Sequence, residues 1–216
     1  DPDFRRVTRN DLWEVGKRVR LKRNVELLSR LLTQGIDGHR FDFYVISAAP
    51  EDVVLSALEG IVPADHVVGT RFQFHEADGR IDSLLSVAAG YGKVAAVEEI
   101  RAKHVVPRDQ VVYVGDGQSD IPVMLHVNRG DGFTIAASEA REIAQIAKRT
   151  VISDDALSVL VPILEEIAGF GPSEIRALFE KQGLVIQEWD RVRTDWLTIR
   201  DGAGDGIIRL DAAANA

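Results

Sequence analysis

The 216-residue sequence contains no cysteine. This absence excludes disulfide bonds, thiolate catalysis, and zinc or iron–sulfur sites held by cysteine. No apolar run approaches the roughly 18 residues that a membrane-spanning helix needs. The first ten residues, DPDFRRVTRN, do not have the pattern of a signal peptide. We therefore expect a cytoplasmic protein with no membrane partner and no redox chemistry through sulfur.

The composition is that of an ordinary globular protein. Hydrophobic residues make up 45% of the chain and charged residues 28%, which fits neither a disordered segment nor a membrane protein. The net charge of -8 argues against a nucleic-acid partner. Residues 1–30 depart from this balance, because nine Lys and Arg stand there against five Asp and Glu. This stretch either faces an anionic partner or is the solvated face of a helix.

Strand-like and helix-like segments alternate along the chain. Asn24 and Gly35 have the properties of the start and stop of an amphipathic helix between them. Residues 41–47 predict a buried strand. The segments that follow are predicted as a helix (50–60), a hairpin turning at Asp78-Gly79 (67–84), a helix (93–103), a strand (111–114), a helix from 119, a strand (132–137) and a helix from Ser138. This alternation predicts an α/β fold with a Rossmann-like parallel sheet flanked by helices.

Two polar residues stand where such a sheet carries its ligand site, at strand ends and helix starts. Ser47 is the last residue of a predicted strand. Its hydroxyl and the backbone N–H groups that follow could donate hydrogen bonds to a phosphate oxygen. The alternative is that Ser47 only caps the next helix. Lys93 opens a predicted helix, where a cation opposes the helix dipole unless an anion pairs with it or solvent screens it.

The most informative stretch is GDGQSD, residues 115–120, which follows an apolar strand. Asp116 and Asp120 would repel each other at the mouth of this strand unless a cation lies between them. Mg²⁺ typically takes one or two protein carboxylates, with waters and substrate phosphate as its other ligands. The alternative, in which both acids cap turns, explains the flanking glycines less well, because glycine lets the backbone approach a ligand.

Taken in this order, Ser47 in YVISAAP, Lys93 in GYGKVAAVEEI and the GDGQSD loop resemble the haloacid-dehalogenase-like phosphohydrolase superfamily. The likeness is greatest to its phosphoserine-phosphatase-like branch and covers roughly residues 10–150. The resemblance implies a phosphatase that acts on a small phosphorylated metabolite through an aspartyl-phosphate intermediate. A catalytically silent relative that binds phosphate and metal for regulation or structure is the alternative.

The resemblance also assigns roles to residues. Asp116 and Asp120 would be the Mg²⁺ residues, with Asp120 either a ligand or a support for the ligands. Ser47, the Ala48 N–H, Gly117 and Lys93 would bind the phosphoryl oxygens. The residues with a catalytic part would be Lys93, Asp116 and Asp120.

One element of the family is not recognisable, the opening strand that ends in D-x-D and supplies the nucleophile. Asp1 and Asp3 have the spacing, but no strand precedes them and little room follows for the usual helical cap. A strand-like segment also ends at Asp211, but Ala213 stands where the second acid should be. In the family sheet the missing strand lies between those ending at Ser47 and Gly115. An empty slot would expose two strand edges, so we expect a shortened form or a separate segment that fills the slot.

We predict two parts, residues 1–152 as the family core and residues 153–216 as a small α+β extension packed on it. The second part shows two helix patterns, in 153–171 and 172–183, followed by strand-like segments. The acid-rich DGAGDG within it lacks the spacing of a calcium-binding loop and is predicted to be a hairpin turn. This part is a candidate for contacts with a partner or with a second copy of the chain.

Overall fold

The computed structural model describes residues 6–191 and 194–201. The acids at Asp1, Asp3 and Asp211, with Ala213, lie outside these residues, so the predictions about them remain untested. The described residues contain no helix with the length and apolar composition that crossing a membrane requires.

The helices and strands alternate along the described chain much as the sequence predicts. The α-helices are α1 (Arg9–Gly16), α2 (Val25–Gln34), α3 (Glu51–Ala57), α4 (Tyr91–His104), α5 (Ile121–Arg129), α6 (Arg141–Ala144), α7 (Leu160–Glu166) and α8 (Pro172–Lys181). The strands are β1 (Val45–Pro50), β2 (Val67–Phe74), β3 (Ile81–Ser86), β4 (Val112–Gly115), β5 (Phe133–Ala136), β6 (Arg149–Ile152), β7 (Leu184–Arg191) and β8 (Thr194–Asp201).

The strands form two sheets. In the smaller one, β1 pairs in parallel with β2, and β2 forms the expected hairpin with β3. In the larger one the order is β4-β5-β6-β8-β7, with every neighbouring pair parallel except β8 and β7. The α/β architecture with helix-flanked parallel strands is therefore confirmed.

Strands β1 and β4 run in the same direction, as their contacts with α4 show. Near the start of β1, the Tyr44 hydroxyl is 2.6 Å from Nε2 of His104, at the end of α4. After β4, the Asp120 carboxylate contacts Lys93, near the start of α4. Because the start of β1 and the end of β4 lie at opposite ends of α4, both strands run antiparallel to this helix and parallel to each other.

A cavity of about 570 Å³ separates β1 from β4. Val45 and Ile46 line it on one side, and residues 112–115 line it on the other. Leu28 of α2 and Val97 of α4 contribute to its walls. Among the described strands, β1 pairs only with β2 and β4 only with β5, so each has one unpaired edge toward this cavity. The parallel sheet is thus interrupted at the slot where the family resemblance places its opening strand.

The region after residue 152 contributes to the same sheet and the same core. Leu160, Leu164, Ile175 and Ile199 have no exposed surface and pack in one cluster with Ile135 of β5. Strand β8 pairs with β6, so the described strands of this region continue the larger sheet. The division into two domains at residue 152 stays a prediction.

Candidate functional site

The loop after β4 is organised around the carboxylate of Asp120, which is only 2% exposed. Its Oδ1 accepts hydrogen bonds from Lys93 Nζ at 2.5 Å and from the Tyr113 hydroxyl at 2.6 Å. Its Oδ2 accepts from the backbone N–H groups of Asp116 at 3.0 Å and Gly117 at 3.2 Å. Four donors therefore satisfy this carboxylate and fix the shape of the loop.

Lys93 lies in the first turn of α4 and is 6% exposed. A cation at this end of a helix is unfavourable without an anion, and Asp120 supplies that anion from within the chain. Burial pushes the pKa of Asp120 upward, but the hydrogen bonds from Lys93 and Tyr113 outweigh it, and the pKa falls below its ordinary value. Asp120 is therefore held as a carboxylate beside Lys93, and both residues line the cavity.

Tyr113 is a site residue that the sequence analysis missed. It lies inside the apolar strand β4, where a tyrosine is expected to be a core residue. The sequence of the strand does not distinguish it from the neighbouring core residues. Burial first, and then its hydrogen bond to Asp120, raise the pKa of Tyr113. The phenol therefore stays protonated and acts as a donor to Asp120.

Gly115 has a packing role in this loop. A Cβ at this position would lie 2.7 Å from the Cβ of Asp120, so only glycine lets the strand end come so close to the carboxylate. Gly117 has open space where its Cβ would be, and its N–H already donates to Asp120. The geometry thus explains Gly115 fully, whereas the phosphate contact of Gly117 stays a prediction.

Asp116 lines the same cavity as Asp120 but differs from it in exposure and in pairing. It is exposed, it lines the cavity, and its carboxylate makes no hydrogen bond or ion pair within residues 6–191 and 194–201. It is the acid of this loop that is free to bind a cation.

The described residues fit a Mg²⁺ site only in part. They contain no group of three or more His, Cys, Asp or Glu side chains suited to a metal ion. Mg²⁺ accepts as few as one or two carboxylates, and Asp116 supplies one. The oxygens of Asp120 are occupied by Lys93, Tyr113 and two backbone donors, which favours the supporting role over direct ligation.

Ser47 and Ala48 lie on β1, next to the cavity but not among the residues that line it. Ser47 Oγ accepts a hydrogen bond from the Ala49 N–H within β1 at 3.2 Å, whereas α3 begins after Pro50 without a side-chain cap, so Ser47 does not cap this helix. The Ala48 carbonyl accepts from the Thr70 hydroxyl at 2.8 Å, and Thr70 in turn accepts from the Ala88 N–H. These bonds connect the end of β1 to the loop that leads to Lys93. Phosphate binding by Ser47 and Ala48 stays a prediction.

Many residues that line the cavity lie outside the predicted set, and two of them are charged residues beside the start of α2. Lys22, in the linker between α1 and α2, and the fully buried Asp155, after β6, both line it. Asp155 accepts hydrogen bonds from Asn24 Nδ2 at 2.6 Å and from the Leu157 N–H at 2.9 Å. It therefore anchors the start of α2 to the end of β6. Only the charge of these residues was visible in the sequence, and charge alone does not reveal a shared cavity.

The comparisons with known proteins bear on this arrangement. The family model described as haloacid dehalogenase-like hydrolase matches residues 6–125, more than half of the chain. The chain belongs to the haloacid dehalogenase-like hydrolases. The match includes Ser47, Lys93, Asp116 and Asp120, so the four side chains singled out by the sequence lie in the part that defines membership.

A solved structure gives this haloacid dehalogenase-like chain a neighbour with the same fold. The crystal structure of a phosphoserine phosphohydrolase-like protein from Francisella tularensis subsp. tularensis SCHU S4 matches with a TM-score of 0.55 at 17% sequence identity. The match covers 72% of this chain and 70% of that one. At this identity the likeness is one of fold. No curated protein matches the chain.

Proposed function

We propose that this chain is the main part of a Mg²⁺-dependent phosphomonoester hydrolase that acts on a small phosphorylated metabolite through an aspartyl-phosphate intermediate. The observation that carries the proposal is the contrast between the two acids of one loop. Asp120 is buried and paired with Lys93, whereas Asp116 is exposed and free in the same cavity. A structural loop alone needs the first acid and gives no reason for the second.

Each residue has a role in this proposal. Asp120 holds the loop and fixes the position of the Lys93 side chain, which lines the cavity. Lys93 offsets negative charge on the phosphoryl oxygens, with the Ser47 hydroxyl and the Ala48 N–H as further donors, while the Gly117 N–H stays with Asp120. Asp116 would hold Mg²⁺, which when bound would reduce the negative charge that builds up on the phosphoryl group during transfer.

The nucleophile in this proposal comes from an extended segment that fills the slot between β1 and β4. The slot offers two parallel unpaired strand edges between walls that carry many apolar side chains, such as Leu28, Val97 and Val112, which suits a strand more than a compact ligand. A strand parallel to β1 and β4 would end beside Asp116. An aspartate at that end attacks phosphorus and the alcohol leaves, and water then cleaves the aspartyl-phosphate to release phosphate. The origin of the segment, from this chain or from a second copy of it, is part of what must be tested.

The silent relative remains the second candidate, and one observation favours it. Among the described residues, Asp116 is the one free carboxylate of the GDGQSD loop, and no second free acid stands beside it to attack phosphorus. Under this alternative the cavity binds phosphate or metal without turnover.

A phosphatase assay separates the two candidates. The chain is incubated with Mg²⁺ and p-nitrophenyl phosphate, and then with a panel of phosphorylated metabolites, beside Asp116→Asn. Asp109→Asn removes an equally exposed acid outside the cavity and is the matched control. Turnover that Asp116→Asn abolishes and Asp109→Asn retains supports the enzyme. Binding of Mg²⁺ or phosphate without turnover supports the silent form, and neither binding nor turnover contradicts both.

A further inference from the structure

The end of β1 that carries Ser47 is irregular. The paired positions advance by four along β1, from Ile46 to Pro50, while their partners advance by only two along β2. We call the extra residues, 47–49, the β1 bulge. A bulge interrupts the hydrogen-bond ladder and re-aims the side chains within it, and bulges are frequent next to active sites. Ser47 and Ala48, the predicted phosphate donors, both lie in this bulge, so the contacts that hold it determine where these donors lie.

The side chain of Thr70, on β2, contacts the β1 bulge directly. Its hydroxyl donates to the Ala48 carbonyl at 2.8 Å and accepts from the Ala88 N–H at 3.3 Å. Thr70 is 8% exposed, so water has little access to replace either bond. One buried hydroxyl therefore joins the bulge to the segment that follows β3.

That segment leads into α4, the helix of the buried lysine. We define the entry loop as residues 87–90, between β3 and α4. Within it, Ala88 donates to Thr70, and the Gly90 N–H donates to the Ser119 carbonyl at 3.2 Å. Ser119 belongs to the GDGQSD loop. The entry loop is therefore fixed on one side to the β1 bulge, through Thr70, and on the other side to the GDGQSD loop.

We infer that Thr70 is a positioning residue, which holds the β1 bulge and the entry loop in register so that Ser47 and Lys93 reach oxygens of the same phosphoryl group. The inference rests on the proposed function, because it takes these two side chains as phosphate donors. Electrostatic stabilisation is strongest when the donors are held in place before the ligand arrives. A hydroxyl that connects the two segments carrying the donors supplies this constraint. The alternative is that Thr70 only satisfies two backbone groups of the fold.

A second threonine with the same pattern of hydrogen bonds provides the matched control. The Thr134 hydroxyl, on β5, donates to Asn128 Oδ1 at 2.8 Å and accepts from the Lys148 N–H at 3.1 Å. Thr134 is 0% exposed and does not line the cavity. Thr70→Val and Thr134→Val each remove one buried hydroxyl with little change in side-chain size. Thr70→Ser keeps the hydroxyl and loses only a methyl group.

The affinity of the full chain for inorganic phosphate is measured by calorimetry at low salt, and urea denaturation gives the stability of each variant. We expect Thr70→Val to bind phosphate about three- to tenfold more weakly than the unchanged chain, because the donors are no longer held together. Thr70→Ser should recover most of the affinity. Thr134→Val should keep it, although its more deeply buried hydroxyl makes an equal or larger loss of stability expected. Such a result cannot come from destabilisation alone.

The outcomes separate this inference from the proposed function. Phosphate binding that Thr70→Val keeps, or that Thr134→Val loses equally, overturns only the positioning role. If Thr70→Val does not fold, the hydroxyl serves the fold as a whole and the inference is wrong. If Thr70→Ser binds as weakly as Thr70→Val, the hydroxyl is not the cause, and this comparison decides alone should Thr134→Val not fold. Absence of phosphate binding by the unchanged chain contradicts both proposals.

Discussion

The same substitution at two positions four residues apart should have opposite consequences. Asp120→Asn removes the negative charge that compensates Lys93. Each carboxylate oxygen of Asp120 accepts from two donors, so the new amide group places an N–H donor where two other donors already point. Asp116→Asn changes an exposed side chain with no partner among the described residues. We therefore expect Asp120→Asn to affect the fold and Asp116→Asn to affect only ligand binding.

The expected magnitude follows from burial of the pair. Side chains of Lys93 and Asp120 are 8% and 3% exposed, so water screens neither charge well. Removing one partner of a buried ion pair costs about 3–5 kcal/mol, because the other charge stays buried without compensation. Exposed substitutions away from such features change stability by less than about 0.5 kcal/mol. A domain is stable by only about 5–15 kcal/mol, so the first change is large.

Urea denaturation followed by circular dichroism measures both effects. Adding Lys93→Met to Asp120→Asn should recover a substantial part of the loss, because the buried charge is then gone as well. A coupling free energy of about 1–3 kcal/mol between the two positions is expected. Equal losses for Asp116→Asn and Asp120→Asn, or strictly additive losses in the double variant, would refute the account of the site given above.

Three further predictions concern two residues of β4 and one ion pair outside it. Tyr113→Phe removes one donor to Asp120 and should lower the free energy of unfolding by about 1–2 kcal/mol in the same urea assay, and a neutral result would show that the hydrogen bond is unimportant. Gly115→Ala brings a Cβ to 2.7 Å from the Asp120 Cβ and should cost about 1–3 kcal/mol, whereas Gly117→Ala, with open space, should cost clearly less. Glu98 has a pKa lowered to about 2 by hydrogen bonds from Arg101 and His126, against an ordinary value of 4.5. Its stabilising contribution is present above pH 4.5 and is lost as the pH falls toward 2, so Glu98→Gln should flatten the acid denaturation curve in that window, and an unchanged curve would contradict the assignment.

The sequence was most informative where a property depends on neighbours along the chain. Asn24 and Gly35 bracket α2 as predicted, because helix ends depend on local backbone geometry. The side chain of Asn24 nevertheless makes no cap and instead donates to Asp155, far along the chain. The strand predicted at 41–47 begins at Val45, because its parallel partner β2 starts only at Val67, opposite that residue.

Features that depend on contacts between residues far apart in the sequence could not be predicted from local sequence patterns. The short strand β6, RTVI, has too few residues to show alternation and went unpredicted. Lys93 and Asp120 were each recognised as site residues, but nothing in the local sequence states that they neutralise each other across 27 positions. That pairing changes the chemistry inferred for the loop, since it leaves Asp116 as the free acid.

The gap between β1 and β4 affects both the sheet and the candidate site. Val114 is 39% exposed although it lies on a strand of the larger sheet, because the position beside it is open to the cavity. A strand in the slot would pair the open edges, cover this apolar surface and end beside Asp116. Binding of such a segment would therefore stabilise the fold and complete the site at the same time. Any segment that binds the folded form stabilises it by mass action. Under this proposal, stability and phosphatase activity should rise together when the segment is present.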